Sequence, residues 1–124
     1  MTTVLDASAI LALLLREPGA DVVQMSLERD ARCGAANWSE VAQKVFSVDR
    51  AYWEPVRATL VDGYGVRIEA VRIEDAEWAA GRWRQGEGLS LADRLCMALG
   101  ERLDAEILTA DRAWGAEGRV RQIR

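Results

Sequence analysis

The sequence predicts an α/β fold of three layers, in which a parallel sheet of four to five strands is covered by helices on both faces. Three observations predict it. Short apolar strands alternate with longer amphipathic segments along the whole chain, the order expected of a parallel sheet with crossover helices. Four acids, Asp6, Glu40, Asp93 and Asp111, each follow one of those strands and lie near the start of the next helix. At 124 residues, half of them apolar and 29% charged, the chain has the size and composition of one globular domain, taken as residues 1–124.

The elements follow in order. Thr2–Asp6 reads as a short strand ending in an acid. Ser8 can cap a helix over Ala9–Arg16, whose apolar residues surround its circumference as in a buried helix. Pro18-Gly19 ends it and starts a helix over Ala20–Arg29. Ala31–Ala36 is a second strand, weak in propensity. A third helix runs from Asn37 to about Arg50, with Val41, Val45 and Val48 inward. A fourth, marked by Trp53, Val56 and Leu60, ends at Asp62-Gly63. Val66–Val71 is the third strand, and Asp75–Arg84 a helix broken by Gly86 and Gly88. Ser90-Leu91-Ala92-Asp93 opens a helix to about Arg102, with apolar residues on two sides. Ala105–Thr109 is a strand, Asp111–Gly115 a short helix or turn, and Arg119–Ile123 a final strand.

Composition excludes several function classes. Histidine is absent, which removes Ser–His and Cys–His triads and the usual catalytic zinc sites. Cys33 and Cys96 are far apart without a C-x-x-C, and read as buried thiols of an intracellular chain. No run of eighteen apolar residues suits a membrane span. Ala9–Leu15 lacks a basic flank and reads as a buried helix rather than a signal peptide.

The net charge of −4 is uneven. Residues 1–81 carry eight basic and thirteen acidic groups, a balance of −5, and residues 82–124 carry eight and seven, a balance of +1. All but Lys44 of the basic residues are arginines, which offer a planar fork suited to phosphate. Arg94 and Arg112, each beside a site acid, are candidates for phosphate contact, with Arg82, Arg84, Arg119 and Arg121 behind them. Each also suits an ordinary surface ion pair. The five tryptophans fit core or groove packing better than a base-stacking platform.

Each acid alone has a structural explanation. Asn37-x-x-Glu40 and Ser90-x-x-Asp93 fit capping boxes, Asp111 an N-cap, and Asp6 a helix-dipole partner. The set is harder to explain so. In a doubly wound sheet all four would meet beyond the carboxyl ends of the strands, where such folds bind ligands. Two carboxylates about 5 Å apart repel by roughly 3 kcal/mol at an effective dielectric near 20. A helix N-terminus returns only about 0.3–1 kcal/mol. Either protons or a cation must neutralise such a group, and oxygen ligands without His or Cys select Mg²⁺ or Mn²⁺. That chemistry suits phosphodiester hydrolysis. Thr109 can hydrogen-bond a ligand there, or close a turn at the strand end.

VLDASAILALLLREPG, NWSEVAQKV and LSLADRLCMALGERL…ILTADRAW, in this order and spacing, make the chain resemble the PIN-domain ribonucleases. More narrowly it resembles the VapC-type toxins of toxin–antitoxin pairs. The resemblance spans essentially the whole chain. It implies a PIN-like α/β/α fold and Mg²⁺- or Mn²⁺-dependent endonucleolytic cleavage of RNA, with Asp6, Glu40, Asp93 and Asp111 as metal ligands and Thr109 as their polar companion. Asn37 and Ser8 also fall on family positions. It further implies a cytoplasmic homodimer, and a heterotetramer or larger assembly with a VapB-type antitoxin whose tail covers the cleft. A receiver domain is disfavoured because no lysine follows Lys44, and a haloacid-dehalogenase-type phosphatase because Asp6-Ala7-Ser8 is not D-x-D. A non-catalytic module whose acidic cleft holds a partner's Arg/Lys tail would use the same acids.

Overall fold

The computed structural model describes residues 1–124. Its elements are β1 (Thr2–Leu5), α1 (Ala7–Leu15), α2 (Ala20–Ser26), β2 (Asp30–Gly34), α3 (Ala35–Val48), α4 (Trp53–Ala58), β3 (Arg67–Glu69), α5 (Ile73–Arg82), α6 (Leu91–Leu103), β4 (Glu106–Thr109) and β5 (Val120–Gln122). The five strands pair in parallel in the order β3-β2-β1-β4-β5. The chain therefore winds outward from β1 through β2 to β3, then returns to β1's other side. The reversal falls between β1 and β4, so the crevice beyond those two strands is the ligand position of this topology.

Period-two alternation splits the strand residues between two cores. Leu5, Ala31, Cys33 and Leu108 face the side covered by α1 to α4, where Ile10, Val23 and Val41 meet them. Val4 and Ile107 face the other side, against Cys96, Met97 and Leu99 of α6. Each fully buried Leu or Ile side chain contributes about 1.5–3 kcal/mol by leaving water. Two glycines are required by close approach. A Cβ on Gly100 would come within 2.6 Å of Ile107 Cδ1. Gly19, at φ 95°, lies against Ile123, whose carbonyl oxygen would be 2.7 Å from a Cβ.

Several boundaries differ from the sequence expectation, for local reasons. The cap of α1 is Asp6, not Ser8: Asp6 is extended and accepts the Ala9 amide. The second strand ends at Gly34 and α3 starts at Ala35, so Asn37 and Glu40 lie inside the helix and form no capping box. The fourth helix ends at Ala58 and widens into a π turn over Thr59–Gly63, closed by Tyr64 N–H to Thr59 O at 2.9 Å. Helix α5 starts two residues early, because the Asp75 carboxylate accepts the Arg72 amide. Trp38 and Trp53, though on separate helices, meet at 5.1 Å between ring centroids, with Phe46 edge-on to Trp53.

Candidate active site

Asp6 stands at the end of β1, and its backbone N–H bonds Leu108 O across to β4. Its side chain is 3% exposed. Oδ1 accepts from Ala9 N–H at 2.8 Å and from the Ser8 hydroxyl at 2.7 Å, and Oδ2 accepts from the Thr109 hydroxyl at 2.6 Å. Burial pushes its pKa up to about 6; the bonds from Thr109, Ser8 and Ala9 pull it down, and the Asp93 charge pushes it up further.

Thr109 is completely buried. Its hydroxyl donates to Asp6 and accepts the Asp111 amide at 3.0 Å, so it orients Asp6 and closes a turn rather than facing a ligand. Ser8 plays a matching part, because its oxygen accepts the Ala110 amide at 2.8 Å while its hydroxyl serves Asp6. These two hydroxyls tie the ends of β1 and β4 together at the reversal point.

Glu40 comes from the second turn of α3 and is exposed. Asn37, one turn earlier and 1% exposed, donates to Glu40 Oε1 at 3.1 Å and to Ala92 O at the start of α6 at 3.4 Å. One amide thus fixes Glu40 and joins the first turns of α3 and α6. Partial desolvation of its carboxyl raises the Glu40 pKa, the Asn37 bond lowers it, and the Asp93 charge raises it. Asp93, half-buried on α6, sits in the capping box the sequence predicts: its carboxylate accepts the Ser90 amide at 2.9 Å and Ser90 Oγ accepts the Asp93 amide at 3.1 Å. Asp111 is exposed and caps the turn Arg112–Trp114 through Ala113 N–H at 2.9 Å.

The Asp93 charge acts on both Asp6 and Glu40, so these three share one electrostatic field. The Asp111 backbone N–H is linked to Asp6 through the Thr109 hydroxyl, while its carboxylate accepts from the Ala113 amide. Each carboxylate accepts a backbone or amide N–H of its own turn, Asp6 two hydroxyls besides, and no three Asp, Glu, Cys or His side chains close into a ready metal cage. None of the eight ion pairs uses any of the four acids. An all-oxygen donor set with a buried carboxyl and no protein cation fits a hard divalent ion.

The candidate arginines divide. Arg94 turns away from the acids and donates to Ala79 O of α5 at 2.6 Å. Arg82 is held by Glu87. Arg119 pairs with Glu101 and Asp104, and precedes β5, so it lies at the amino edge of the sheet, opposite the acids. Arg121 reaches Glu106 at 3.7 Å. Arg84 and Arg112 are exposed and belong to no ion pair, and only Arg112 adjoins a site acid. Sequence reasoning missed Gln122. Its Nε2 donates to the carbonyls of Asp111 and Gly115, both at 2.8 Å, pinning the Asp111 turn to β5. Its only sequence signal is a polar residue at the carboxyl end of the last strand.

The PIN domain family profile matches residues 3–116. This chain is a PIN domain. It belongs with the VapC proteins within that family: it is 34% identical over 107 residues to VapC ribonuclease Mb2780c of Mycobacterium bovis and to ribonuclease VapC42 of Mycobacterium tuberculosis. Each alignment covers 79% of this chain and 82% of the relative. Among solved structures, the PIN domain superimposes on a toxin–antitoxin complex from Klebsiella pneumoniae with a TM-score of 0.78 at 15% identity. It superimposes on VapBC2 of Rickettsia felis, bound to a promoter DNA fragment, at 0.71 and 8%. Both superpositions cover 98% of each chain, and at such identities they report the shared fold.

Proposed function

We propose that this PIN domain is the toxin of a VapBC-type pair and a Mg²⁺- or Mn²⁺-dependent endoribonuclease that hydrolyses RNA phosphodiester bonds. The observation that carries the reading is the acid set at the β1/β4 reversal, where a buried Asp6 and its acidic neighbours have no arginine or lysine paired to them. The ribonuclease names of its 34%-identical relatives support it.

Asp6, Glu40, Asp93 and Asp111 would hold the cation, which when bound supplies positive charge and a more acidic water. The chain's own residues prepare that site. Thr109 and Ser8 aim the Asp6 carboxylate and Asn37 aims Glu40. With its pKa near 6, Asp6 has shed its proton at neutral pH and meets a cation as a carboxylate. Arg112 is the remaining candidate for contact with an RNA phosphate. Cleavage of cellular RNA by the purified protein is expected to need added Mg²⁺ or Mn²⁺, to stop in excess EDTA, and to fall at least about 100-fold in Asp93→Asn. Full activity in EDTA would refute the metal; activity absent under all conditions would leave a module whose acids hold a partner's Arg or Lys.

The antitoxin is proposed to bind a second surface as well. Leu11, Leu14, Leu15, Val45, Val48 and Val56 line an apolar groove of about 250 Å³ between α1, α3 and α4. Leu15 and Val48 are more than half exposed. Such a groove suits the apolar face of an amphipathic helix. Val48→Asp should weaken co-purification with the product of the neighbouring reading frame while leaving RNA cleavage intact; unchanged co-purification would place the partner elsewhere. The homodimer implied by the resemblance is proposed with it, and the molecular mass in solution by light scattering tests it.

A further inference from the structure

Three of the four acids stand on regular elements. Asp6 caps α1, Glu40 lies inside α3 and Asp93 lies in the first turn of α6. Asp111 does not. It opens the three-residue turn Arg112–Trp114, and the chain beyond, from Gly115 to Gly118, is exposed, with both glycines at positive φ. A short turn followed by such a segment keeps its place only where other parts of the chain fix it.

Within the turn, the Asp111 carboxylate accepts the Ala113 amide, and the Trp114 and Gly115 amides donate to the Asp111 and Arg112 carbonyls at 3.2 and 3.1 Å. Those bonds shape the turn without joining it to the sheet. The Asp111 amide ties its entry to β4, through Thr109 at 3.0 Å, and the buried Trp114 anchors its far side. Gln122 ties both ends at once. It lies on the edge strand β5, in register with Thr109 of β4. Its Nε2 donates to the carbonyls of Asp111 and Gly115, which open and close the turn, both at 2.8 Å. Both partners are acceptors, so only the NH₂ end of the amide can serve them, and both of its hydrogens are used. Gln122 Oε1 is left buried without a partner. The reverse orientation would set that oxygen against two carbonyl oxygens.

We propose that Gln122 is a positioning residue of the metal site: by clamping both ends of the turn to β5, it fixes where the Asp111 carboxylate is presented to the cation. Groups that orient a metal ligand without touching the metal set much of its affinity. The clamp removes in advance freedom that Asp111 would otherwise lose when a cation binds. Arg112 is carried by the same turn, so one side-chain amide places both the acid and the candidate phosphate contact. The proposal rests on the metal-dependent ribonuclease reading and adds to it a residue outside the four acids.

The test follows Mn²⁺ binding to the full chain by isothermal titration calorimetry, so it does not depend on cleavage. Gln122→Met keeps the length of the side chain and removes both donors, at a half-buried position that belongs to neither apolar core. Mn²⁺ affinity should fall roughly 10–100-fold in Gln122→Met and by a similar factor in Asp111→Asn. The Mn²⁺ concentration that gives half-maximal RNA cleavage should rise with it. In the Asp111→Asn background, Gln122→Met should cost at most about a further twofold, because the group it positions is gone. A merely structural role would lower affinity by the same factor in both backgrounds, and that result would overturn the proposal. Affinity within about twofold of the unsubstituted protein, in either Gln122→Met or Asp111→Asn, would overturn it as well. Gln122→Ala is a second variant with the same expectation. Loss of the folded state in both variants, by circular dichroism in EDTA, would make Gln122 structural and overturn the positioning role. In each of these cases, Mn²⁺-dependent cleavage by the unsubstituted protein shows that only the role of Gln122 has failed. Absence of Mn²⁺ binding by the unsubstituted protein refutes the metal reading and this proposal together.

Discussion

At Asp6 two influences oppose each other. Four hydrogen bonds from three donors stabilise the ionised carboxyl, yet burial outweighs them and leaves the pKa near 6 rather than 3.8. Between those values the folded protein holds a proton that the unfolded chain has released. This contribution to stability is therefore complete below pH 3.8 and is lost as pH rises through about 6. For a shift of this size the loss is about 3 kcal/mol. In EDTA, Asp6→Asn should thus gain stability relative to the unsubstituted protein as pH moves from 4 to 7.5, by up to about 3 kcal/mol in urea unfolding. A constant difference across that range would contradict the buried-charge account. Thr109 shows how residue identity and role diverge. A threonine at a strand end is visible in the sequence, but that its hydroxyl faces inward to Asp6 depends on which strand lies beside β1. Cys33 and Cys96 match their expectation of buried free thiols, each pushed well above its ordinary pKa by burial and then by the nearby acids.

At the scale of elements, legibility followed the strength of local signals. The Ser90–Asp93 capping box was readable because both partners lie within one turn and bond only to each other's backbone. The Asn37–Glu40 pair has the same spacing and a different meaning. Gly34 already serves as the N-cap of α3, so the pair sits one helical turn apart, and Asn37 is free to bridge to α6. Spacing could not separate the two cases, since i,i+3 neighbours share a face in either. Helix α6 carries a constraint of its own. Gly100 lets it approach β4, and Gly100→Ala should cost about 1–3 kcal/mol through overlap with Ile107, against a helix-propensity gain of about 1 kcal/mol at most. A melting temperature that stays level or rises would show that Ile107 can move aside.

For the whole molecule, the sheet order decides where everything meets. Placing β4 beside β1 brings residues more than a hundred positions apart, Asp6 and Thr109, within a hydrogen bond. A cation bound across α1, α3, α6 and the β4 turn would bind the native state alone. Mn²⁺ at 100 times its dissociation constant should then stabilise the fold by about 2.7 kcal/mol. Thermal unfolding should show that rise in the unsubstituted protein and little of it in Asp6→Asn or Asp93→Asn; an equal rise in all three would place the ion elsewhere. The sequence by itself determined the α/β class and the approximate elements, and marked the four acids as candidates, because hydrophobic period, capping residues and acids after strands are local properties written in adjacent positions. Only the tertiary structure decided that Arg94 serves α5, that Arg119 lies at the opposite edge, and that Gln122 clamps the Asp111 turn. Those facts depend on which segments become neighbours across the sheet, and side-chain direction and packing distance carry no signature along the chain.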